Sequence, residues 1–342
     1  MKKILLILVG GTICTELNEQ GNLSVSERAG AMLTAHFENS DSPYAQKVQI
    51  DQSKNLHIVS ENMTVERWNL ILDTYRAASV QRRYDGIIFA HGTDTLAYSA
   101  ALFAQLLNDT EIPVFFVSAN ERLESPRSNG HANFRCAVEC ICEGIAPNVY
   151  AAYRNLSNGR MYLHLASRLC QCPNYSEDFQ SVGMVELSEE NRRAVLEEIR
   201  ALYPSDRRVA VRSEGRLKPC VLMLEPYVGM DYSAVDYQRY AAVLHGTFHS
   251  GTACADEAAG AHSIAYMIDR CTALGVQTYL SPARLKAGTY ETVPAIAEKG
   301  IHFLYGYTKE TAYAKLLIAY SLLEESERAA YLETECNFER IG

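Results

Sequence analysis

Four short apolar runs, KILLILV (3–9), GIIFA (86–90), PVFFVS (113–118) and NVYAAY (148–153), constrain the fold more than any other feature of this sequence. Each is apolar along most of its length instead of alternating, which is the pattern of strands covered on both faces. Helical stretches separate the later runs: residues 94–108, with Leu96, Ala100, Phe103 and Leu107 on one face, and then residues 130–143. Strand and helix in turn predict a parallel, doubly wound α/β sheet. At 342 residues the chain is long for one such core, which predicts two domains. A charged stretch, SEENRRAVLEEIRALYPSDRR (188–208), is ended by Pro204 and suits a connection. The alternation then resumes on a smaller scale in CVLMLE (220–225), YAAVLHG (240–246) and VQTYLS (276–281). The expected division is a larger α/β domain over 1–190, a linker over 191–215 and a smaller C-terminal α/β domain over 216–342.

The partners are limited by charge. With 32 basic against 41 acidic residues the chain carries −9, which argues against phosphate backbones and anionic membranes, so neither nucleic acid nor a membrane is expected as a ligand. The opening MKKILLILVGG has two lysines and a short apolar run without a small-residue cleavage site, and reads as a first strand instead of a leader. No run approaches the roughly 18 apolar residues of a membrane span. Ten cysteines scattered along a long chain fit reduced thiols in a cytoplasmic protein. Cys136, Cys140 and Cys142, and the pair Cys170 and Cys172, lack zinc-site spacing. Cys136 and Cys140 recur at helical period and read as buried structural thiols. No metal is expected.

In doubly wound folds ligands sit beyond the carboxyl ends of the strands. After the first strand comes Gly10-Gly11-Thr12, a turn whose glycines permit positive φ and close backbone approach. It lacks the third glycine of a dinucleotide fingerprint. After GIIFA comes HGTDT (91–95), with Gly92 followed by Thr93, Asp94 and Thr95 at a helix start. An N-cap needs one such residue, so three beside a histidine and a glycine leave capping and ligand binding both open. LHIV (56–59) leads into Ser60 and Glu61, which read as turn residues or as a grip on charged substrate groups. PVFFV leads into SANERLESPRSNGHAN (118–133), an irregular stretch able to lend backbone carbonyls.

These residues carry a resemblance. ILVGGTI followed by FAHGTDTLAYSA is similar to the two signature segments of the bacterial asparaginase/glutaminase family. SENMTVERW, RSNGHANF and YGYTKETAYAKLLIAYSL resemble further stretches of that family, so the likeness runs along essentially the whole chain. The form of the Ser60 segment and the reading of the N-terminus fit the cytoplasmic type I branch. The resemblance implies an L-asparagine amidohydrolase giving aspartate and ammonia, with no cofactor, working as a homodimer or homotetramer. It implies Thr12 as nucleophile, Gly11 and Gly92 as close-approach positions, and Thr93 orienting or activating the attacking water or hydroxyl. Asp94 would bind the substrate's α-amino group with Glu61 as a second acceptor, Ser60 its α-carboxylate, and the Ala119 carbonyl the departing amide nitrogen.

Two departures bear on this. The family's lid tyrosine follows a glycine, whereas here the pair is Gly21-Asn22 and no tyrosine precedes Tyr44. Some type I relatives borrow one from the partner subunit, and Tyr290 in AGTYETV matches it, with helix packing as its alternative. The family's relay lysine is matched by Arg168 in LASRL, and no lysine lies between Lys54 and Lys218. An arginine lends charge but does not accept a proton as a neutral lysine does. Two classes of function follow: a hydrolase of asparagine or another small amide with a modified relay, or a catalytically impaired member that binds an amino acid or amide as a regulatory protein. The amide-cleaving component of a transfer-RNA-dependent amidotransferase is a third reading, disfavoured because that branch carries an extra domain ahead of a first strand that here starts at Lys3.

Overall fold

The structure, a computed structural model, describes residues 1–17, 20–21, 23–78, 83–211, 214–283 and 292–341. The chain forms two units: Met1–Val211 with Cys336–Phe338, and Arg212–Glu335 with Glu339–Gly342.

The first unit is built on a seven-stranded sheet. In chain order its strands and ribbons are β1 (Lys2–Leu8), β2 (Thr15–Leu17), β3 (Leu23–Val25), β4 (Val48–Gln52), β5 (Gly86–Ala90), β6 (Val114–Val117), β7 (Val149–Arg154), β8 (Met161–Leu165), β9 (Leu169–Cys170), β10 (Gln180–Ser181) and β11 (Val185–Glu186). The sheet order is β11-β8-β7-β6-β5-β1-β4. From β4 to β7 every pairing is parallel, while β8 and β11 add antiparallel edges. β1 thus has β4 on one flank and β5 on the other, and the order of winding reverses between β1 and β5. Such a reversal opens a crevice at the carboxyl ends of the two strands. β2 pairs β3 and β9 pairs β10 as separate two-stranded ribbons.

The helices α1 (Ala29–Glu38), α2 (Val65–Ala77), α3 (Leu96–Leu106), α4 (Gly130–Cys142) and α5 (Arg192–Leu202) cover the sheet. β5 and β6 are buried along their whole length, as the unbroken apolar runs predict. Phe89 of β5 and Phe116 of β6 stack at 4.8 Å and meet Phe103 of α3 edge-on at 5.1 and 5.6 Å. Ile88, Ala90, Phe115 and Val117 alternate to the opposite face and join Phe134, Ala137 and Cys140 of α4. α2 carries the Met-Thr-x-x-x-Trp stretch: Thr64 caps it by accepting the Arg67 N–H, and Trp68 donates its indole N–H to Ser99 of α3 at 2.8 Å.

Three expectations change here. The strand beside β1 is Val48–Gln52, a half-polar run, and not 56–59; the latter follows irregularly, its Leu56 and Ile58 N–H groups bonding the Leu8 and Val9 carbonyls. α3 is buried on every side except at Tyr98, so its four expected apolar positions understate its burial. The charged helix read as a connection belongs to the first unit, because Val195, Leu196 and Ile199 enter its core. Asn337 is bound in the same unit, donating to the Ala104 carbonyl and the Asn148 side chain while its own carbonyl accepts from Ser167.

The second unit has a parallel four-stranded sheet of β12 (Val221–Leu224), β13 (Ala242–His245), β14 (Gln277–Ala283) and β15 (His302–Tyr305), in that order. It carries α6 (Ile264–Ala273), α7 (Thr292–Glu298), α8 (Lys309–Leu322) and α9 (Glu325–Glu333). Its core gathers Val243, Leu280, Ile264, Met267 and Ile268. Tyr290 lies outside the described residues.

The lysine of the YTKETAYAKLL stretch, Lys315, is fully buried in α8. It donates to Glu339 and to the Thr334 carbonyl, both at 2.8 Å, and lies 4.5 Å from the centre of the Tyr331 ring. Removing one partner of such a pair leaves a buried charge, at a cost of about 3–5 kcal/mol, whereas replacing both by apolar side chains restores most of it. Lys315→Met is therefore expected to be strongly destabilising and Lys315→Met/Glu339→Met close to the parent. Urea unfolding of the full chain measures both.

Candidate active site

Both ends of the β1–β5 crevice are glycine turns. Gly10 and Gly11 have φ of 140° and 74°, a region that favours glycine. A Cβ on Gly10 would lie 2.8 Å from the Ile58 carbonyl carbon, and one on Gly11 would overlap the backbone of Gly92. A Cβ on Gly92 would in turn overlap Ser60 and approach the Gly11 Cα at 2.9 Å. Three chain segments therefore meet with no room for side chains between them. This brings Thr12, Ser60, Thr93 and Asp94 to one edge, as their places after successive strands imply. Cys14 N–H bonds the Gly11 carbonyl at 2.8 Å and Thr15 Oγ1 bonds the Thr12 carbonyl at 2.9 Å, which closes the first turn around a half-exposed Thr12.

Ser60 is buried and organises the second turn. Its hydroxyl donates to Asp94 Oδ2 at 3.0 Å and accepts the Asp94 N–H at 3.3 Å, while its carbonyl accepts Thr95 Oγ1 at 2.9 Å. Asp94 itself is exposed, so its second oxygen faces solvent on the ligand side. Glu61 is exposed beside it. His91, at 0 % exposure, places Nδ1 2.8 Å from the Gly92 carbonyl. Only a protonated Nδ1 can bond there, which fixes the tautomer. Burial pulls this imidazole down to about 4, so it is neutral.

Ala119 follows β6 between pinned peptides. Asn133 donates to the Ser118 carbonyl at 2.9 Å, and Asn120 and Asn129 exchange backbone-to-side-chain bonds at 2.9 Å in both directions. Asn129 and Asn133 also hold the Arg154 backbone at the end of β7. The RSNGHAN stretch thus works as a brace for two strand ends.

Arg168 is the expected site residue that joins none of this. It closes a short 3-10 turn after β8, donates its Nε–H to the Phe338 carbonyl and lies 5.8 Å from the centre of the Tyr203 ring. Among the described residues it has no hydrogen bond or ion pair with Thr12, Thr93 or Asp94. Three residues later Gln171 does reach the second turn, donating Nε2–H to the Thr93 carbonyl at 3.3 Å. No motif or spacing in the sequence singles this glutamine out. Among the described residues no set of three or more His, Cys, Asp or Glu side chains could hold a metal ion, and no helix is long and apolar enough to cross a membrane.

A cleft of about 660 Å³ lies elsewhere, lined by Asp41, Arg135, Glu139, Arg192 and Glu197 among others. Ion pairs span it, with buried Glu139 held by Arg135 at 2.8 Å and Arg192 at 2.6 Å. It shares no residue with the glycine turns.

The family model of the asparaginase N-terminal domain matches residues 3–191. The chain belongs to the asparaginase family. A glutamyl-tRNA(Gln) amidotransferase subunit from Methanosphaera stadtmanae is 24% identical over 329 residues, which is 93% of this chain and 72% of that one. Its counterpart from Archaeoglobus fulgidus is 29% identical over 181 residues, 52% of this chain and 41% of that one. The fold is that of the thermostable L-asparaginase from Thermococcus kodakarensis, with TM-score 0.73, 20% identity and 99% of both chains covered. L-asparaginase I from Vibrio cholerae matches with TM-score 0.72 and 21% identity over 100% of this chain and 99% of that one. In this asparaginase-family fold the glycine turns, Ser60 and Asp94 all fall within the matched residues.

The packing at Gly92 can be tested directly. Its φ of −78° is comfortable for alanine, so Gly92→Ala should act through overlap alone and cost about 1–3 kcal/mol in chemical denaturation. A second expectation concerns pH. Burial also pulls His164 down to about 3 and, in the second unit, His245 to about 4. Between about pH 6.5 and 4 the unfolded chain binds protons at these positions that the folded chain does not, so stability falls as pH is lowered. Urea midpoints are expected to drop from pH 7 to pH 5, and His164→Gln to flatten the slope.

Proposed function

We propose that this chain is an amidohydrolase of the L-asparaginase type, acting on the side-chain amide of a small amino acid through Thr12. The observation that carries the reading is the convergence of Thr12, Thr93, Asp94 and Ser60 at the β1–β5 crevice, enforced by the contact of Gly11 with Gly92. Thr12 Oγ attacks the amide carbon, its proton passes toward the leaving nitrogen, and the carbon–nitrogen bond breaks to release ammonia. Water then cleaves the acyl–threonine ester and restores the hydroxyl. A threonine hydroxyl needs an activating neighbour, and Thr93 on the facing turn is assigned that position. Asp94, polarised by Ser60, takes the substrate's ammonium with Glu61 near it, and Ser60 lies where the α-carboxylate would approach. The Ala119 carbonyl is assigned to the departing nitrogen. Arg168 is assigned an anchoring role on Phe338 and Tyr203, and not a relay.

The match of the amidotransferase subunit along 93% of this chain favours a second reading within the same chemistry, in which glutamine is the better substrate and the chain serves a larger assembly. Oligomeric state, with Tyr290 completing a neighbour's site, and cytoplasmic location remain part of the proposal. An ammonia-release assay on asparagine, glutamine and other small amides separates the readings. Thr12→Ala is expected to lower turnover at least about 10³-fold while substrate binding, followed by calorimetry, persists. Near-normal turnover in Thr12→Ala removes the nucleophile assignment, and binding without turnover in the parent chain supports the regulatory alternative.

A further inference from the structure

The ribbon formed by β9 and β10 closes a loop, residues 171–179, whose base is fixed at three points. Cys170 and Leu169 pair with Gln180 and Ser181, the Cys172 thiol contacts the Asp178 carbonyl at 3.1 Å, and Gln171 donates to the Thr93 carbonyl at 3.3 Å. The last bond enters the site. The Thr93 carbonyl also accepts the Leu96 N–H, so it takes one donor from its own helix start and one from the ribbon. Those two bonds orient the peptide plane that links Thr93 to Asp94. The N–H of that same plane bonds Ser60 Oγ. The ribbon loop is electrostatically near as well: the Glu177 carboxyl is held above its ordinary range by burial and then by Asp94, Glu121 and Asp178.

We propose that Gln171 is a positioning residue for the reaction, its amide N–H holding the Thr93 peptide so that the Thr93 hydroxyl and the Asp94 carboxylate face the substrate together. The inference rests on the amidohydrolase reading and adds to it the element that addresses the second threonine. Arg168, three residues earlier, is turned onto Phe338 and Tyr203. Gln171 does not exchange protons at working pH. Its contribution is geometric, and it should therefore appear in kcat more than in KM.

The test uses Gln171→Glu, which keeps the shape and loses the donor when ionised, and Gln171→Met, which has no donor at any pH. One hydrogen bond contributes about 0.5–1.5 kcal/mol, equivalent to roughly 2- to 10-fold in rate. At pH 8 both variants are expected to lose about 3- to 10-fold in kcat on the best amide, with KM changed less than about twofold. As pH is lowered, Gln171→Glu should regain kcat relative to the parent once its carboxyl is protonated and donates again, while Gln171→Met should not. Asp94 and Glu177 lie on the neighbouring elements, so the same profile is measured for the parent chain and subtracted. Parent-like kcat in both variants, a loss confined to KM or to melting temperature, or the same pH profile in both overturns the proposal while leaving the Thr12 reading intact. A parent chain that releases no ammonia from any amide overturns the reading, and this inference with it.

Discussion

The contact between Gly11 and Gly92 is the constraint on which the rest of the site depends. Neither residue can carry a Cβ without overlap, and Ser60 presses on Gly92 from the third segment. The backbones meet there because β1 and β5 are adjacent parallel strands whose connections leave in opposite directions, so their turns share one crevice without a helix between them. Remove that closeness and the two threonines separate. Everything else around the site keeps these backbones where the sheet has put them.

Most of the buried polar groups nearby serve this end. Ser60 divides its hydroxyl between the Asp94 carboxylate and the Asp94 N–H, so one buried side chain sets both the position and the local field of an exposed acid. Asn129 and Asn133 hold backbone at the ends of β6 and β7 instead of presenting their amides to a ligand. His91 is spent in the same way, neutral and bonded to the Gly92 carbonyl. Rigid backbone is what an oxyanion or ammonium site requires, since donors fixed in advance need no reorganisation when charge develops.

Residues whose role is written in backbone geometry were legible in the sequence. Apolar runs located β1, β5, β6 and β7, and glycines after two of them located the turns, because only glycine tolerates that approach. Less was legible where direction depends on tertiary partners. β4 is half-polar and lies at the sheet edge, so its run carries no burial signal. The charged helix α5 hides its apolar stripe of Val195, Leu196 and Ile199 among arginines and glutamates. The 3-10 turn at 166–168 decides which side chain reaches Thr93, and the family pattern pointed to Arg168 where the structure sends Gln171. Nothing in residue type distinguishes those outcomes. They are decided by Phe338, which supplies a carbonyl to Arg168 from 170 positions away.

The second unit offers an internal comparison that separates shape from chemistry. β13 ends in His245-Gly246-Thr247, the same tripeptide as His91-Gly92-Thr93 after β5. The local device is repeated: His245 Nδ1 lies 2.6 Å from the Gly246 carbonyl, and burial lowers this imidazole to about 4 as well. The surroundings differ. His245 Nε2 accepts from Tyr232 at 2.7 Å, Thr247 gives its hydroxyl to the Pro282 carbonyl at 3.0 Å, and Phe248 stands where the first unit has Asp94. A buried neutral histidine on a glycine carbonyl is thus a way to end a parallel strand in a tight turn, and it carries no reactivity of its own. Chemistry enters only where the following residues keep a half-exposed hydroxyl and an exposed carboxylate, and where a facing glycine turn brings a second threonine to meet them.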